Sequence, residues 1–206
     1  MRPSFSWPRL AALALMLAGV VLVITLGADE PVKRWSEAWR PSPLARLWAW
    51  LAYWGGLGGT QATLLAALAL LWGWWGRRPT HWRAGLAGVA SVALSGILVQ
   101  VCKHLFGRPR PRLALPSDEY FGPTFQSDLL SFPSGHATTS LAVAAALSVF
   151  YPRLAWLFYL LAALISLGRV VGNSHYLSDV LAGALLGLMV GWPLGQAVAA
   201  KAWRRP

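Results

Sequence analysis

The feature that most limits how this chain can fold is a set of six long stretches without a single charged residue. The stretches are residues 10–27, 47–76, 84–102, 137–151, 154–168 and 180–200. A helix spans the hydrocarbon core of a bilayer with about 20 apolar residues, within a range of about 17 to 25, so each stretch is a candidate span. We therefore predict an all-α, polytopic membrane protein, in which a bundle of six transmembrane helices forms one domain over residues 1–206.

The composition supports a membrane protein. Of the 206 residues, 56% are hydrophobic and only 12% are charged, whereas soluble domains average about 25% charged residues. The net charge of +11 would also suit a nucleic-acid-binding protein, but the basic residues are scattered over the short segments between the apolar stretches. Many of the 13 tryptophans lie near the ends of those stretches, where aromatic residues anchor membrane helices. The predicted partner is the lipid bilayer, and no nucleic acid is expected.

Several stretches depart from the ideal length. Stretch 47–76 is long enough for a tilted helix and an interfacial piece that contains Gly55, Gly56, Gly58 and Gly59. Stretches 137–151 and 154–168 are short, which fits helices whose polar ends are buried among their neighbours. Stretch 10–27 could be a cleaved signal peptide, but its length and the lack of a small-residue cleavage pattern favour a retained span.

An even number of spans places both termini on one side of the membrane. The two sides then hold nine lysines and arginines each, so this count alone does not orient the protein. All seven acidic residues fall on the side opposite the termini, and several basic residues there are candidates for chemistry rather than topology. We therefore predict a multi-pass protein of the cytoplasmic (inner) membrane, with both termini in the cytoplasm and the active site on the periplasmic or outer face.

Three polar segments lie on this outer side. They are KHLFGRPRPRL at the end of the third span, FPSGH at the start of the fourth, and GRVVGNSHYLSD between the fifth and the sixth. Although these segments are distant in sequence, they can converge at the ends of packed helices. Ionisable groups at the ends of spans are expensive unless they are paired or functional.

The basic residues of these segments are suited to binding a phosphate. Lys103, Arg110 and Arg169 supply three positive charges, and guanidinium groups bind phosphate oxygens through two parallel hydrogen bonds. Ser134 and the backbone N–H of Gly135 add donors at the start of a helix, where the helix dipole also favours an anion.

Two histidines and an aspartate suggest what happens to that phosphate. His175 and Asp179 are four residues apart, so on a helix they share a face, and the carboxylate can hold one ring nitrogen while the other attacks. His136 comes from a different span and could face His175 across a bound phosphate. A nucleophilic imidazole, its orienting acid, a second imidazole for the leaving group and an anion cradle predict a phosphoryl-transfer site.

Each of these residues also has a less specific interpretation. Lys103 could extend toward the membrane surface, as Arg108 and Arg112 are expected to do. His104 is expected to be a surface or packing residue, and His81 lies among the cytoplasmic arginines. The histidine and aspartate of the third segment could be a structural pair at a helix start. Each interpretation is reasonable alone, but the coincidence of all these residues on one face favours a site.

Together the three segments resemble the signature of the type-2 phosphatidic-acid phosphatase superfamily, whose members are integral membrane lipid phosphatases with a six-span fold. That signature is K-x6-RP, then PSGH, then SR-x5-H-x3-D. In this chain it appears, with the same order and spacing, as Lys103, Arg110 with Pro111, Pro133 to His136, Arg169, His175 and Asp179. One position departs from it: Gly168 stands where the signature has serine, which would remove one hydrogen bond to the phosphate.

The resemblance implies a mechanism that needs no metal and no other cofactor, in agreement with the lack of an acidic cluster in the sequence. It makes His175 the nucleophile that forms a phosphohistidine, Asp179 the residue that orients it, and His136 the acid that protonates the leaving oxygen and later activates water. The phosphate-binding residues that it implies are Lys103, Arg110, Ser134, Gly135 and Arg169.

The resemblance also implies a membrane lipid phosphate as substrate. Undecaprenyl diphosphate is the first candidate, because small outward-facing members of the family often serve carrier-lipid recycling; phosphatidylglycerol phosphate, phosphatidic acid and lipid A phosphates are alternatives. A non-catalytic lipid-headgroup-binding protein would be expected to lack His136 or His175. Vanadium haloperoxidases share the anion pocket but are soluble proteins, so six apolar spans argue against that class. A transporter is disfavoured because no charged residue interrupts the interior of a span. Residues 112–132 form an insert that could cap the site.

Overall fold

The computed structural model describes residues 7–25 and 27–200, and all regular secondary structure in these residues is helical. The α-helices are α1 (Trp7–Thr25), α2 (Asp29–Trp39), α3 (Pro43–Gly55), α4 (Gly58–Gly76), α5 (Pro79–Phe106), α6 (Gly135–Phe150), α7 (Ala155–Val171) and α8 (Leu177–Ala200). Single turns of 3₁₀-helix at Pro111–Leu113, Ser127–Leu129 and Pro152–Leu154 lie in the connections. The all-α prediction is confirmed for this part of the chain. The predicted cytoplasmic termini, residues 1–6 and 201–206, lie outside the described residues.

The structure does not confirm the count of six spans. In the described ranges, three helical segments are long and apolar enough to cross a membrane: Pro79–Leu113, Pro152–Val171 and Leu177–Ala200. The count rises to five if two bent pairs are each one broken span, namely α1 with α2, bent by 80°, and α3 with α4, bent by 59°. Helix α6 is apolar but has only 16 residues, which is short for a bilayer. The structure thus supports a membrane protein with three to five spans.

The long apolar stretch 47–76 is divided at its glycines, which the sequence predicted to lie in an interfacial piece beside a tilted helix. Helix α3 ends at Gly55 and α4 begins at Gly58. Helix α3 packs mainly against α7, whereas α4 packs mainly against α5. At the break the chain therefore passes from α7 to α5. The carboxyl end of α3 lies beside the start of α6, where a Cβ at Gly56 would lie 2.5 Å from the ring of His136.

Helices α6 and α8 pack closely because α8 presents a row of glycines to α6. A Cβ added to these glycines would crowd or overlap backbone carbonyl groups of α6 and its N-cap, from Ser134 to Ala146. Small residues allow membrane helices to approach in this way. The glycines recur every four residues, at Gly183, Gly187, Gly191 and Gly195. The contact holds the start of α6, which carries the PSGH segment, against the start of α8, which carries Asp179.

Four helix ends meet at one end of the bundle: the carboxyl ends of α5 and α7 and the amino ends of α6 and α8. The three polar segments singled out in the sequence lie at this end. His81 lies at the opposite end, where its Nδ1 is 2.6 Å from the hydroxyl of Tyr151 and its ring packs on Trp72. The structure therefore keeps His81 apart from the other candidate residues.

Candidate active site

Lys103 lies in the last turn of α5 and points into the protein. Its side chain is buried, and Nζ donates to the carbonyl oxygens of Leu130 at 2.5 Å and Ser131 at 3.4 Å. A Cβ placed on Gly135 would lie 3.7 Å from Cε of Lys103. Lys103 therefore does not extend to the membrane surface, and its ammonium group lies beside the start of α6.

Ser134 is the N-cap of α6, but its hydroxyl does not cap the helix. An N-cap serine usually accepts a hydrogen bond from the second or third helical N–H. Here Oγ is buried and has no hydrogen-bond partner, while the backbone N–H of Ser134 donates to the carbonyl of Asp179 at 2.9 Å. The first N–H groups of a helix, such as that of Gly135, have no partner within the helix. The start of α6 thus presents several donors to a ligand.

His136 is held by the carboxyl end of α3. Its Nε2 lies 3.0 Å from the carbonyl oxygen of Tyr53, and the two rings are in contact with centroids 5.6 Å apart. The last carbonyl groups of a helix need partners from outside it, and the carbonyl of Gly55 finds one in the side-chain amide of Gln61 at 3.0 Å. Only glycine fits at position 56, because a Cβ there would lie 2.5 Å from the His136 ring.

The two other predicted phosphate-binding arginines lie on the loops and helix ends around these residues. Arg169 is buried in the last turn of α7 with its guanidinium carbon 5.2 Å from the centre of the Tyr53 ring, and its Nε has no hydrogen-bond partner. Arg110 donates from Nε to the carbonyl of Ser127 and from a terminal nitrogen to that of Ser174, both at 3.2 Å. Arg110 therefore lies beside the loop that leads to His175.

His175 is buried at the start of α8, next to a carboxylate. Its Nδ1 is 3.5 Å from Oδ2 of Asp179 and 3.4 Å from the hydroxyl of Ser131. Burial lowers the pKa of His175 to about 3, against the hydrogen bond to Asp179, which raises it; the positive charges of Lys103 and Arg110 lower it further. The ring is therefore neutral at physiological pH, as a nucleophilic imidazole must be.

Asp179 is held by a donor or charge on each side of its carboxylate. Oδ2 accepts from the hydroxyl of Ser131 at 2.6 Å and from the backbone N–H of Tyr176 at 2.9 Å. Oδ1 accepts from Arg108 at 2.5 Å. The bond to Tyr176 is the return half of a capping box, in which the third residue of a helix satisfies the N–H of its N-cap.

The expectation that Arg108 extends to the membrane surface is wrong. Arg108 is one of the largest fully buried side chains in the described part of the protein, and it forms ion pairs with both Asp179 and Asp29. A buried guanidinium needs such partners, since an unpaired buried charge is strongly destabilising. Arg112 differs, because it forms an exposed ion pair with Asp128.

His104 packs away from the candidate site, in agreement with its interpretation as a packing residue. Its Nδ1 lies 2.7 Å from the carbonyl of Thr124, and its ring packs on Phe125. These contacts fold residues 112–132 back onto the end of α5. The insert lies against the site residues themselves, since it supplies Ser131 and the Leu130 carbonyl that holds Lys103.

Sequence reasoning missed four residues that the structure places against the candidates: Asp29, Tyr53, Arg108 and Ser131. Ser131 adjoins the PSGH segment, and Arg108 lies within the first polar segment, so proximity alone could have suggested them. Asp29 and Tyr53 carry no such signal, because their contacts depend on how α2 and α3 pack. Among the described residues, no group of three or more His, Cys, Asp or Glu side chains is placed to hold a metal ion.

Gly168, the departure from the signature, lies where α3 crosses α7. A Cβ at Gly168 would overlap the Cβ of Ala52 and would lie 3.1 Å from Nε1 of Trp48. Ala52 is almost completely buried. The glycine is therefore explained by close packing of these two helices, which a serine would prevent.

We predict that Gly168→Ser lowers both thermal stability and activity instead of restoring a phosphate contact. Inserting atoms into a packed contact typically costs about 1–3 kcal/mol, and a shift of α3 would move the Tyr53 carbonyl away from His136. The measurement is thermal unfolding in detergent, with Ala52→Gly added as the matched compensating change. The double variant should recover part of the lost stability; a single variant as stable as wild type would contradict this explanation.

Comparisons with known proteins identify a matching family and two relatives. The family model described as the PAP2 superfamily matches residues 84–203. A lipid A 1-phosphatase of Porphyromonas gingivalis is 32% identical over 133 residues, which are 62% of this chain and 27% of that protein. A lipid A 1-phosphatase of Rhizobium etli is 36% identical over 104 residues, which are 50% of this chain and 44% of that protein. The match thus spans less than half the length of either relative.

A solved structure shares the fold across almost the whole chain. The crystal structure of the PAP2-type phosphatidylglycerolphosphate phosphatase from Bacillus subtilis superimposes with a TM-score of 0.69, covering 98% of this chain and 100% of that one. The two sequences are only 20% identical, so this likeness concerns the fold alone.

Proposed function

Because this chain belongs to the PAP2 superfamily, whose model matches more than half of it, we propose that it is a metal-independent lipid phosphatase acting through a phosphohistidine. The resemblance predicted from the three polar segments is confirmed at the level of the family. Beyond the family, we propose the activity, the substrate and the roles of individual residues.

The observation that carries the proposal is a pair of buried donors without partners. Ser134 Oγ and Arg169 Nε both lack a hydrogen bond, although buried polar groups are nearly always satisfied. Lys103 and Arg110 lie in the same region and bring two further positive charges. Donors left free in a cationic site are suited to an anion with several acceptor oxygens, as a phosphoryl group is.

In the first step, Nε2 of neutral His175 attacks the phosphorus of the lipid phosphate and the bond from phosphorus to the leaving oxygen breaks. Asp179 stabilises the imidazolium that forms, by accepting from Nδ1–H. His136 enters this step protonated on both ring nitrogens and gives the Nδ1 proton to the leaving oxygen. This yields the lipid product, phosphorylated His175 and a neutral His136. In the second step, His136 removes a proton from a water molecule that attacks the phosphohistidine, releasing inorganic phosphate and free His175.

The tautomer of His136 follows from its contact with α3. A carbonyl oxygen only accepts, so Nε2 beside the Tyr53 carbonyl carries a proton. Nδ1 is then the nitrogen that gains and loses the catalytic proton. The carboxyl end of α3 thus orients His136, the general acid, as Asp179 orients His175, the nucleophile.

The substrate is proposed to be a lipid (di)phosphate. Two relatives are lipid A 1-phosphatases, which supports a lipid A phosphate as a candidate. Undecaprenyl diphosphate, the first candidate from the sequence, supplies the same phosphoryl group and remains in the proposal. Phosphatidylglycerol phosphate and phosphatidic acid complete the set to be tested.

A substrate panel tests the proposed function. Purified protein in detergent is given each of the four lipids with excess EDTA, and released phosphate is measured with and without vanadate. We expect turnover that survives EDTA and is inhibited by vanadate, which can mimic five-coordinate phosphorus, and we expect one lipid to be preferred. Release of phosphate from none of the lipids, despite their binding, would instead favour a non-catalytic headgroup-binding protein.

A further inference from the structure

We propose that Asp29 and Arg108 are a pair of positioning residues for catalysis, which keep one oxygen of Asp179 available to His175. The inference rests on the proposed function, since it concerns the orientation of the proposed nucleophile. Asp29 begins α2 and lies outside the segment that matches the family. Neither residue is among the signature positions.

Arg108 divides its two terminal nitrogens between two carboxylates. One nitrogen donates to Oδ1 of Asp179 at 2.5 Å, and the other donates to Oδ2 of Asp29 at 2.8 Å. A guanidinium group readily binds both oxygens of a single carboxylate through two parallel hydrogen bonds. Asp29 prevents that arrangement by sharing the second nitrogen with the carbonyl oxygen of Ser117.

The consequence for Asp179 is that its other oxygen is left for the catalytic side. Oδ2 takes the Ser131 hydroxyl and the Tyr176 N–H, and it faces Nδ1 of His175 at 3.5 Å. If Arg108 bound both oxygens, the carboxylate would turn away from these groups. His175 would then lose the acceptor that stabilises its charged form during attack.

Asp29 also holds the start of α8. Oδ1 of Asp29 accepts from the backbone N–H of Ser178 at 2.9 Å, and Oδ2 accepts from the Ser178 hydroxyl at 2.5 Å. The Ser178 hydroxyl in turn accepts from Arg108 at 2.7 Å. A carboxylate at the second N–H of a helix satisfies an otherwise unpaired donor and complements the helix dipole. Asp29 therefore fixes both the charge beside Asp179 and the helix turn that carries it.

The three ionic side chains of this cluster are buried. Asp29, Arg108 and Asp179 have side chains that are 4%, 2% and 0% exposed. The guanidinium carbon of Arg108 lies 4.3 Å from the ring centre of Tyr176 and 5.5 Å from that of Tyr120. The Ser117 carbonyl accepts from Nε of Arg108 at 2.9 Å and from one terminal nitrogen at 2.5 Å. With aromatic rings around the guanidinium group and water excluded, the charged partner left to Arg108 when Asp29 is changed is Asp179.

The expected effect of Asp29→Asn is a loss in the chemical step and not in lipid binding. The substitution keeps the size of the side chain and an acceptor for the Ser178 N–H, but it removes the charge that competes for Arg108. A small misplacement of a catalytic group can cost about 10²-fold in rate, so phosphohistidine formation should slow by about that factor with KM unchanged. Arg108→Lys keeps the positive charge but lacks the two terminal nitrogens that bind Asp29 and Asp179 separately, so this variant should lose rate in the same way.

The experiment measures single-turnover phosphoenzyme formation with the lipid that the wild-type protein hydrolyses best. The matched control is Glu30→Gln, which removes the same charge from the neighbouring residue, whose carboxylate is 41% exposed in a pair with Lys33; its rate should equal that of wild type. Adding Asp29→Asn to Asp179→Asn should cost little more, because residues that act through one another are not additive. Thermal unfolding of each variant identifies any that is misfolded, and Arg108→Lys then carries the test.

Two outcomes would overturn the positioning pair. One is a folded Asp29→Asn variant that forms the phosphoenzyme at the wild-type rate. The other is a double variant in which Asp29→Asn slows the Asp179→Asn protein by as much as it slows the wild-type protein. A wild-type protein that releases phosphate from no lipid would contradict the proposed function instead. An active wild-type protein that is indifferent to Asp29→Asn would contradict only the pair.

Discussion

Replacing His175 with alanine is expected to abolish turnover of every lipid phosphate that the protein hydrolyses. The variant lacks the only nitrogen that, in the proposed mechanism, forms a bond to phosphorus. Loss of a nucleophile that acts together with its base and orienting acid costs on the order of 10⁶ in kcat in a serine protease, and a loss of comparable scale is expected here. The measurement is released phosphate under saturating lipid.

The control for this prediction is His104→Ala. His104 lies in the last turn of α5, at the same end of the bundle. Its ring contacts the Thr124 carbonyl oxygen and packs on Phe125 instead of facing the site. This variant should keep wild-type turnover. Appreciable turnover by His175→Ala would contradict the assignment of the nucleophile, whatever the behaviour of the control.

The second large effect is expected from His136→Ala, and its size should depend on the leaving group. A general acid contributes typically about 10²–10⁴-fold, and it matters most when the leaving oxygen is strongly basic. A lipid monophosphate expels an alkoxide, whereas a lipid diphosphate expels a much less basic phosphate ester. His136→Ala should therefore slow phosphoenzyme formation more for the monophosphate than for the diphosphate.

Single-turnover rates are needed for this comparison, because a slow hydrolysis of the phosphohistidine would mask the first step in the steady state. His175→Ala serves as the contrast, since both lipids require the same nucleophile and both should fail. Equal slowing of the two lipids by His136→Ala would show that His136 does not protonate the leaving oxygen. Its role would then be limited to binding the phosphate.

The sequence alone predicted the helical class and the family, because both depend on local patterns. Stretches without charge indicate apolar helices wherever they occur, and the spacing from Lys103 to Asp179 repeats a specific signature. The count of spans was less predictable. Stretch 47–76 reads as one long apolar run, and only its glycines hint that the chain bends there by 59°.

The contacts that organise the candidate site were harder to predict, because they join residues far apart in the chain. Asp29 and Ser178 are 149 residues apart, and Tyr53 and His136 are 83 residues apart. No local pattern marks such pairs. Arg108 shows the same limit, since an arginine between a membrane helix and a loop has the sequence context of a surface residue, and only its two buried carboxylate partners reveal its place.

Gly168 shows that one substitution in a signature can have a structural cause outside the signature. The sequence alone suggested a lost phosphate contact. The structure adds Ala52, from a helix that the signature does not include, in the space where a serine side chain would lie.

The proposed mechanism depends most on a covalent bond between phosphorus and His175, and one measurement tests that bond directly. Protein mixed with a radiolabelled lipid phosphate is quenched within a single turnover under alkaline conditions, which preserve phosphohistidine, and the labelled peptide is identified by mass spectrometry. We expect the label on His175, where mild acid treatment removes it, and no label on the His175→Ala variant. Label on another residue, or turnover of an active protein with no labelled peptide at any time, would contradict it.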